Sequence, residues 1–232
     1  LNCEPHKKIG IKTLKPFTIH KDIKRALDQI ASINKKILHK KLFSMTLGGE
    51  HSITPGCIRP FAKKYKKLCL LHFDAHPDLR ESYNGKKFSH ASAIKRCLDF
   101  ENVSIISFGI RNISSEEVSF LKKNSHRINI FWAKDKKKWN LNKFKKLIKN
   151  KIVYLTFDVD ALDSSIMPAT GTPEPGGLLW DETLDILKIA FKNSKIVGAD
   201  INELSPIKGF NSYNFLVAKL VYKILSYKFL YK

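Results

Sequence analysis

The chain has 232 residues, 43% of them hydrophobic, which suits one large α/β domain with a sizeable core. No apolar run approaches the roughly 20 residues that a membrane-crossing helix needs, and no leader pattern is legible, so a cytoplasmic protein without a membrane partner is expected. A net charge of +21 raises nucleic acid as a partner. The excess is nearly all lysine, however, and no zinc-finger, basic-zipper or RNA-recognition pattern accompanies it, so no nucleic-acid partner is expected.

In chain order, a helix is expected over 21–40, a strand over 42–47 (LFSMTL) and a helix over 54–66. A strand at 68–73 (LCLLHF) precedes a helix at 89–99. A strand at 103–109 (VSIISFG) precedes a helix at 115–124. Then come a strand at 128–132 (INIFW), a helix at 141–150, a strand at 152–157 (IVYLTF) and a helix at 181–192. A strand at 195–201 and a helix at 212–230 complete the set. In 141–150 the residues Leu141, Phe144, Leu147 and Ile148 form a helical stripe. The lysine-rich run 134–151 reads as one solvated helix face with its flanks. Nearly continuous apolar strands alternating with helices imply a parallel sheet covered on both faces. The cysteines Cys3, Cys57, Cys69 and Cys97 lack CxxC spacing and read as reduced structural thiols.

In such sheets ligands bind beyond the carboxyl ends of the strands. Acids and histidines cluster there. "GGEHSIT" follows the first strand and carries Glu50 and His51; Asp74, His76 and Asp78 follow the second at alternate positions. Asp158 and Asp160 follow the fifth strand, and Glu203 follows the sixth. If the strand after Leu68 keeps its pleat, Asp74, His76 and Asp78 point one way. Carboxylates that close repel unless a cation lies between them. Four carboxylates and two imidazoles with no thiolate favour Mn²⁺, or Fe²⁺, Co²⁺ or Ni²⁺, over structural zinc, and two divalent ions would balance the charge. His72, one step deeper, reads as a core or supporting residue, and Asp163 and Glu174 as loop-shaping acids. "TGTPEPGG" (170–177) reads as a rigid turn framing the site.

The blocks "LGGEHSIT", "HFDAHPDLRESYNGKKFSHAS", "TFDVDALDSSIMPATGTPEPGG" and "GADINELSP" resemble the ureohydrolase (arginase/agmatinase) family, and its agmatinase branch most. The resemblance implies a three-layer α/β/α sandwich around a parallel sheet. It implies two Mn²⁺ per subunit: one held by His51, Asp74, Asp78 and Asp158, the other by His76, Asp74, Asp158 and Asp160. It makes His90, in "FSHAS", the proton shuttle and a substrate contact, and Glu203 the acid that pairs with the substrate guanidinium. Asp78 would also accept a hydrogen bond from the attacking hydroxide. Agmatine hydrolysis to putrescine and urea is the implied activity, in polyamine biosynthesis. Arginase, guanidinobutyrase or formiminoglutamase activity, or a catalytically weak metal-binding protein, are the alternatives. Arg80 stands where the arginase pattern has an Asn, which favours agmatine, and Glu81 is a candidate acid for its amine. A homo-oligomer, trimer or hexamer, is implied. Fewer residues precede "GGEHS" than the family pattern has, so the expectation is one domain over 1–232 lacking the family's N-terminal segment.

Overall fold

The computed structural model describes residues 3–231, so the ends of the expected 1–232 span lie outside the described residues. Six strands form one sheet: β1 (Ser44–Leu47), β2 (Leu68–Phe73), β3 (Val103–Phe108), β4 (Ile128–Phe131), β5 (Ile152–Asp158) and β6 (Lys195–Asn202). Their order is β1-β6-β5-β2-β3-β4, and every pairing is parallel. The eight α-helices among the described residues are α1 (Pro5–Lys8), α2 (Ile23–His39), α3 (Thr54–Lys64), α4 (Ala93–Cys97), α5 (Ser115–Lys123), α6 (Leu141–Ile148), α7 (Trp180–Asn193) and α8 (Asn211–Leu230).

Alternation along the strands decides which helix meets which face. Leu68, Leu70, Ile105 and Tyr154 pack with Ile30 and Leu38 of α2, Ile58 and Phe61 of α3, and Ile94 of α4, while α5 adds Phe120 and Leu121. Leu71, Phe73, Ile106 and Leu155 pack instead with α6, α7 and α8 through Phe144, Leu187 and Leu220. The result is the expected α/β/α sandwich. Where the strand order reverses, β2 lies between β3 and β5, and the ends of β2 and β5 open a crevice of the kind that binds ligands.

Some elements are shorter than the sequence suggests. Leu42 is exposed and precedes β1, because Lys41, at φ 57°, turns the chain out of α2. The helix expected over 89–99 is a 3₁₀ turn at His90–Ser92 followed by the short α4. The lysine-rich run is also split: a 3₁₀ segment, Ala133–Lys138, ends at Trp139, and Asn140 caps α6 by accepting the Lys143 N–H. No expectation covered α1, where Pro5 opens a single turn.

Phe157, Phe73, Phe108 and Phe131 lie in register at the ends of four adjacent strands. Ring centroids are 4.8 Å apart for Phe73–Phe157, 5.7 Å for Phe73–Phe108 and 4.4 Å for Phe108–Phe131. Trp139 and Phe144 meet Phe108 edge-on at 5.2 and 4.8 Å. This ladder is the apolar floor beneath the strand ends. Phe108→Ala removes its central rung, and the cavity should cost about 4 kcal/mol. Denaturant unfolding checks this; a loss below about 1 kcal/mol would show that the ladder collapses to refill the gap.

Candidate functional site

The residues after β2 converge, but not by the continued pleat that the sequence suggests. β2 stops at Phe73, and the Asp74 side chain accepts the His76 N–H at 2.6 Å, bending the chain at once. Asp78 then sits at φ 51° and Glu203 at φ 65°. Left-handed backbone at a non-glycine costs about 1 kcal/mol, and both residues face the crevice, where such strain gathers. After β5 the chain enters a 3₁₀ turn, where the Asp158 carboxylate accepts the Asp160 N–H at 2.9 Å. Short turns, rather than strand periodicity, aim these ligands. Gly109, at φ 97°, lets β3 leave the sheet beside them; a Cβ there would lie 2.8 Å from the Asp74 carbonyl oxygen.

All six expected ligands come together. His51 Nδ1 lies 3.0, 3.1 and 3.4 Å from carboxylate oxygens of Asp74, Asp78 and Asp158. His76 Nδ1 lies 3.5 Å from Asp74 and 3.1 Å from Asp160. The Asp74 carboxylate therefore stands between two imidazoles. His72 is fully buried behind it, with Nε2 2.9 Å from Asp74 Oδ2 and Nδ1 3.0 Å from Ser107 Oγ. Two groups among the described residues have ligand atoms close enough for one ion: His51, His72 and Asp74, and Asp74, His76 and Asp160. His72 falls in the first of these groups, but both its nitrogens are already engaged, one by Ser107 and one by Asp74.

The cluster has the electrostatics of a cation site. Burial, then Asp160 and Asp74, push the Asp158 carboxyl well above the usual range. Burial and Asp74 push Asp78 up to about 7. Burial opposes a proton on His76, yet Asp160 and Asp74 hold it up at about 11. Crowded acids thus recruit protons wherever no other cation is bound.

One atom tests whether a metal fits. His51 Nδ1 is buried and makes no hydrogen bond. Its other nitrogen, Nε2, is 2.9 Å from Thr156 Oγ1, whose own proton is directed at Asp200 Oδ1 at 2.6 Å. Thr156 can therefore only accept from His51, so Nε2 carries a proton. Burial opposes a second proton on the ring, yet Asp74 and Asp78 hold the imidazole well above its ordinary value, so Nδ1 takes one up where no metal is bound. A metal ion would replace that proton at a point where Nδ1 and three acid side chains meet. Asp200, fully buried and also accepting from Thr54 and Asn202, was not anticipated. Its position inside an apolar strand run, two residues before a site-facing stretch, was the only signal.

A cleft of about 460 Å³ opens over the cluster, lined by His76, Asp78, Asp158, Asp160, His90 and Glu203. Glu203 is held by the His51 backbone N–H at 2.6 Å, and burial raises its carboxyl. His90, half-exposed at the rim, pairs with Glu50 at 2.8 Å, and that contact raises the imidazole and lowers the acid. Glu81, expected as a candidate acid for the substrate amine, is not among the residues lining the cleft. It is taken up by Arg96 at 2.9 Å and Lys95 at 3.2 Å.

Sequence reasoning also missed Arg111. Its guanidinium donates to the carbonyls of Gly109, Asp160, Leu162, Glu174 and Pro175 at 2.6–3.3 Å, tying segment 170–177 to the β3 and β5 ends. Asp163 completes the tie by accepting the N–H groups of Gly176 and Gly177 at 2.7 and 2.8 Å. Glu174 is thereby fixed beside the His/Asp cluster, 3.9 Å from His76 Nε2. Arg111→Lys keeps the charge but loses the planar fork. It should cost about 2–3 kcal/mol and make 170–177 the first site of limited proteolysis. Unchanged cleavage would show that Asp163 alone holds the loop.

The chain as a whole is similar to known proteins. The family model described as "Arginase family" matches residues 2–226. The chain belongs to the arginase family. The agmatinase of Bacillus anthracis is 40% identical over 187 residues, which are 79% of this chain and 62% of the relative. The N(1)-aminopropylagmatine ureohydrolase of Synechocystis sp. is 34% identical over 189 residues, 80% of this chain and 60% of the relative. The chain thus spans about three-fifths of these relatives' lengths. The crystal structure of the agmatine ureohydrolase of Thermoplasma volcanium superposes with a TM-score of 0.80 at 31% identity, covering 91% of this chain and 71% of that one. No helix among the described residues is long and apolar enough to cross a membrane.

Proposed function

We propose that this arginase-family chain is an agmatinase, a binuclear Mn²⁺ hydrolase releasing urea and putrescine from agmatine in the cytoplasm, for polyamine biosynthesis. The observation that carries the reading is the buried His51 Nδ1 facing Asp74, Asp78 and Asp158. His51, Asp74, Asp78 and Asp158 would hold one ion, and His76, Asp74, Asp158 and Asp160 the other. When bound, the pair would lower the pKa of bound water and supply hydroxide near neutral pH.

The chain's own residues do the rest. Glu203, anchored on the His51 backbone, accepts the guanidinium N–H groups and turns its carbon toward the cluster. Asp78 orients the nucleophile by accepting its hydrogen bond. His90, at the rim, donates a proton to the departing amine and is recharged from solvent. A single ureohydrolase domain assembled as a trimer or hexamer is part of the same reading, and nucleic acid is not.

The tail of the substrate meets two unlike groups. Glu174 is not itself in the cleft lining but pairs with Asn112, which is: it accepts from Asn112 Nδ2 at 2.6 Å through one oxygen, which leaves the other for an ammonium group. Arg80 lines the cleft and would instead meet a carboxylate, which favours a guanidino acid as the second reading. Urea release from agmatine, N(1)-aminopropylagmatine, arginine and 4-guanidinobutyrate, measured side by side with Mn²⁺, decides between them. Agmatine should lead, and Glu174→Gln should raise its KM about tenfold with little change in kcat. Preference for 4-guanidinobutyrate would transfer the role to Arg80. No urea from any of them, with two metals bound, would overturn the enzymatic reading.

A further inference from the structure

Glu50 lies between β1 and His51 on the wall of the cleft, outside the ligand set. Its Oε2 accepts from Ser52 Oγ at 2.5 Å and its Oε1 lies 2.8 Å from His90 Nδ1. On its other side the His90 ring meets Tyr83 edge-on, with centroids 5.4 Å apart. Tyr83 is itself fixed. It exchanges two backbone hydrogen bonds with Lys86 across a tight turn whose central residues, Asn84 and Gly85, have φ values of 49° and 73°. Both left-handed residues are what a two-residue hairpin turn requires. The imidazole is thus gripped at one nitrogen and braced along its ring. Among the described residues, its Nε2 makes no hydrogen bond, and His90 lines the cleft.

We propose that Glu50 is a positioning residue: it holds His90 by Nδ1–H and so presents Nε2 to the cleft as the nitrogen that carries the transferred proton. This rests on the reading of His90 as proton donor given above. In the step, the Nε2–H bond breaks and the departing amine nitrogen gains that proton. Nε2 keeps the electron pair, while the Nδ1 proton stays on the ring facing Glu50. Without Glu50 the ring is free to rotate about its side-chain bonds or to exchange tautomers, and fewer molecules present the donor at the right nitrogen.

The test is a double-mutant cycle on Mn²⁺-loaded protein with agmatine, together with ring-nitrogen NMR of the unmodified chain loaded with diamagnetic Zn²⁺. Glu50→Ala should lower kcat about tenfold and leave KM within about twofold, since it acts only through His90. Glu50→Gln, whose carbonyl still accepts from Nδ1–H, should recover most of the loss. Adding Glu50→Ala to His90→Ala should cost nothing further, because the two residues act as one unit. The NMR spectrum should show His90 protonated at Nδ1, either alone or as the imidazolium. Additive losses in the cycle, or a neutral His90 protonated only at Nε2, would overturn the proposal. Should the unmodified chain release no urea from any guanidino compound, the agmatinase reading fails while the ring spectrum still decides what Glu50 does.

Discussion

Asp158→Asn should lower urea release from agmatine by on the order of 10³-fold, through the loss of about 4 kcal/mol of cation-based stabilisation. The substitution conserves shape, and the amide oxygen it introduces can still accept the Asp160 N–H that the Asp158 carboxylate accepts at 2.9 Å. What disappears is a negative charge 3.4 Å from His51 Nδ1, in a place so crowded with acids that burial, Asp160 and Asp74 push its carboxyl well above the usual range. Bound manganese should drop from two ions per chain to one or none, measured by elemental analysis after gel filtration. The circular dichroism spectrum should not change, because β5 is paired along its length to β2 and β6. Two tightly held ions and normal turnover in this variant would show that Asp158 is not a ligand.

The second large effect is on stability, and it comes from the same crowding. In the metal-free chain Asp78 is pushed up to about 7 by burial and Asp74, against about 3.9 in an unfolded chain. Between those values the folded state holds a proton that the unfolded state has lost, so stability falls as pH rises through the window. For His76, burial is outweighed by Asp160 and Asp74, which hold it up at about 11, against about 6.5 unfolded. Its contribution is fully present below about 6.5 and is lost as pH rises through 11, which is the same sign. Asp74 is held well below the usual range: burial opposes this, but His51, His72 and His76 prevail, so its contribution fails only at more acid pH. Chelated protein should therefore melt at steadily lower temperature from pH 5.5 to 9. Manganese takes the place of those protons and binds more tightly as pH rises. At a thousandfold excess over its Kd it adds about 4 kcal/mol, a rise of about 10 °C for a chain of this size. Scanning calorimetry with and without chelator reads both effects. A metal-free melting temperature that is flat or rising over this range would mean that the acids do not crowd as described.

Much was legible before any coordinates. The apolar strand runs and amphipathic helices have periods of two and 3.6 that follow from backbone geometry, so alternation and layer type can be read locally. The ligands could be read for a related reason. Asp74 and His76 follow β2, Asp158 ends β5 and Asp160 follows it, and in a parallel sheet that position is the binding edge. Proline, glycine and lysine runs were less informative. A helix expected over 89–99 shrank to a 3₁₀ turn and five α-helical residues, because the Ser89–His90 segment is held by Glu50 and Ser92 rather than by local propensity.

What the linear chain determined by itself is the kind of chemistry: acids and imidazoles at strand ends, too many to lie together without cations. What tertiary structure alone decided is how each is aimed. The turn at Asp74 and the left-handed backbone at Asp78 and Glu203 set local direction, while the Thr156–Asp200 pair behind His51 and the Arg111 clamp join residues far apart in sequence. The physical reason is range. Periodicity and propensity act over a few residues, whereas Arg111 meets Glu174 across 63 positions and His51 meets Thr156 across 105, contacts whose donors and acceptors find each other only once the sheet has formed.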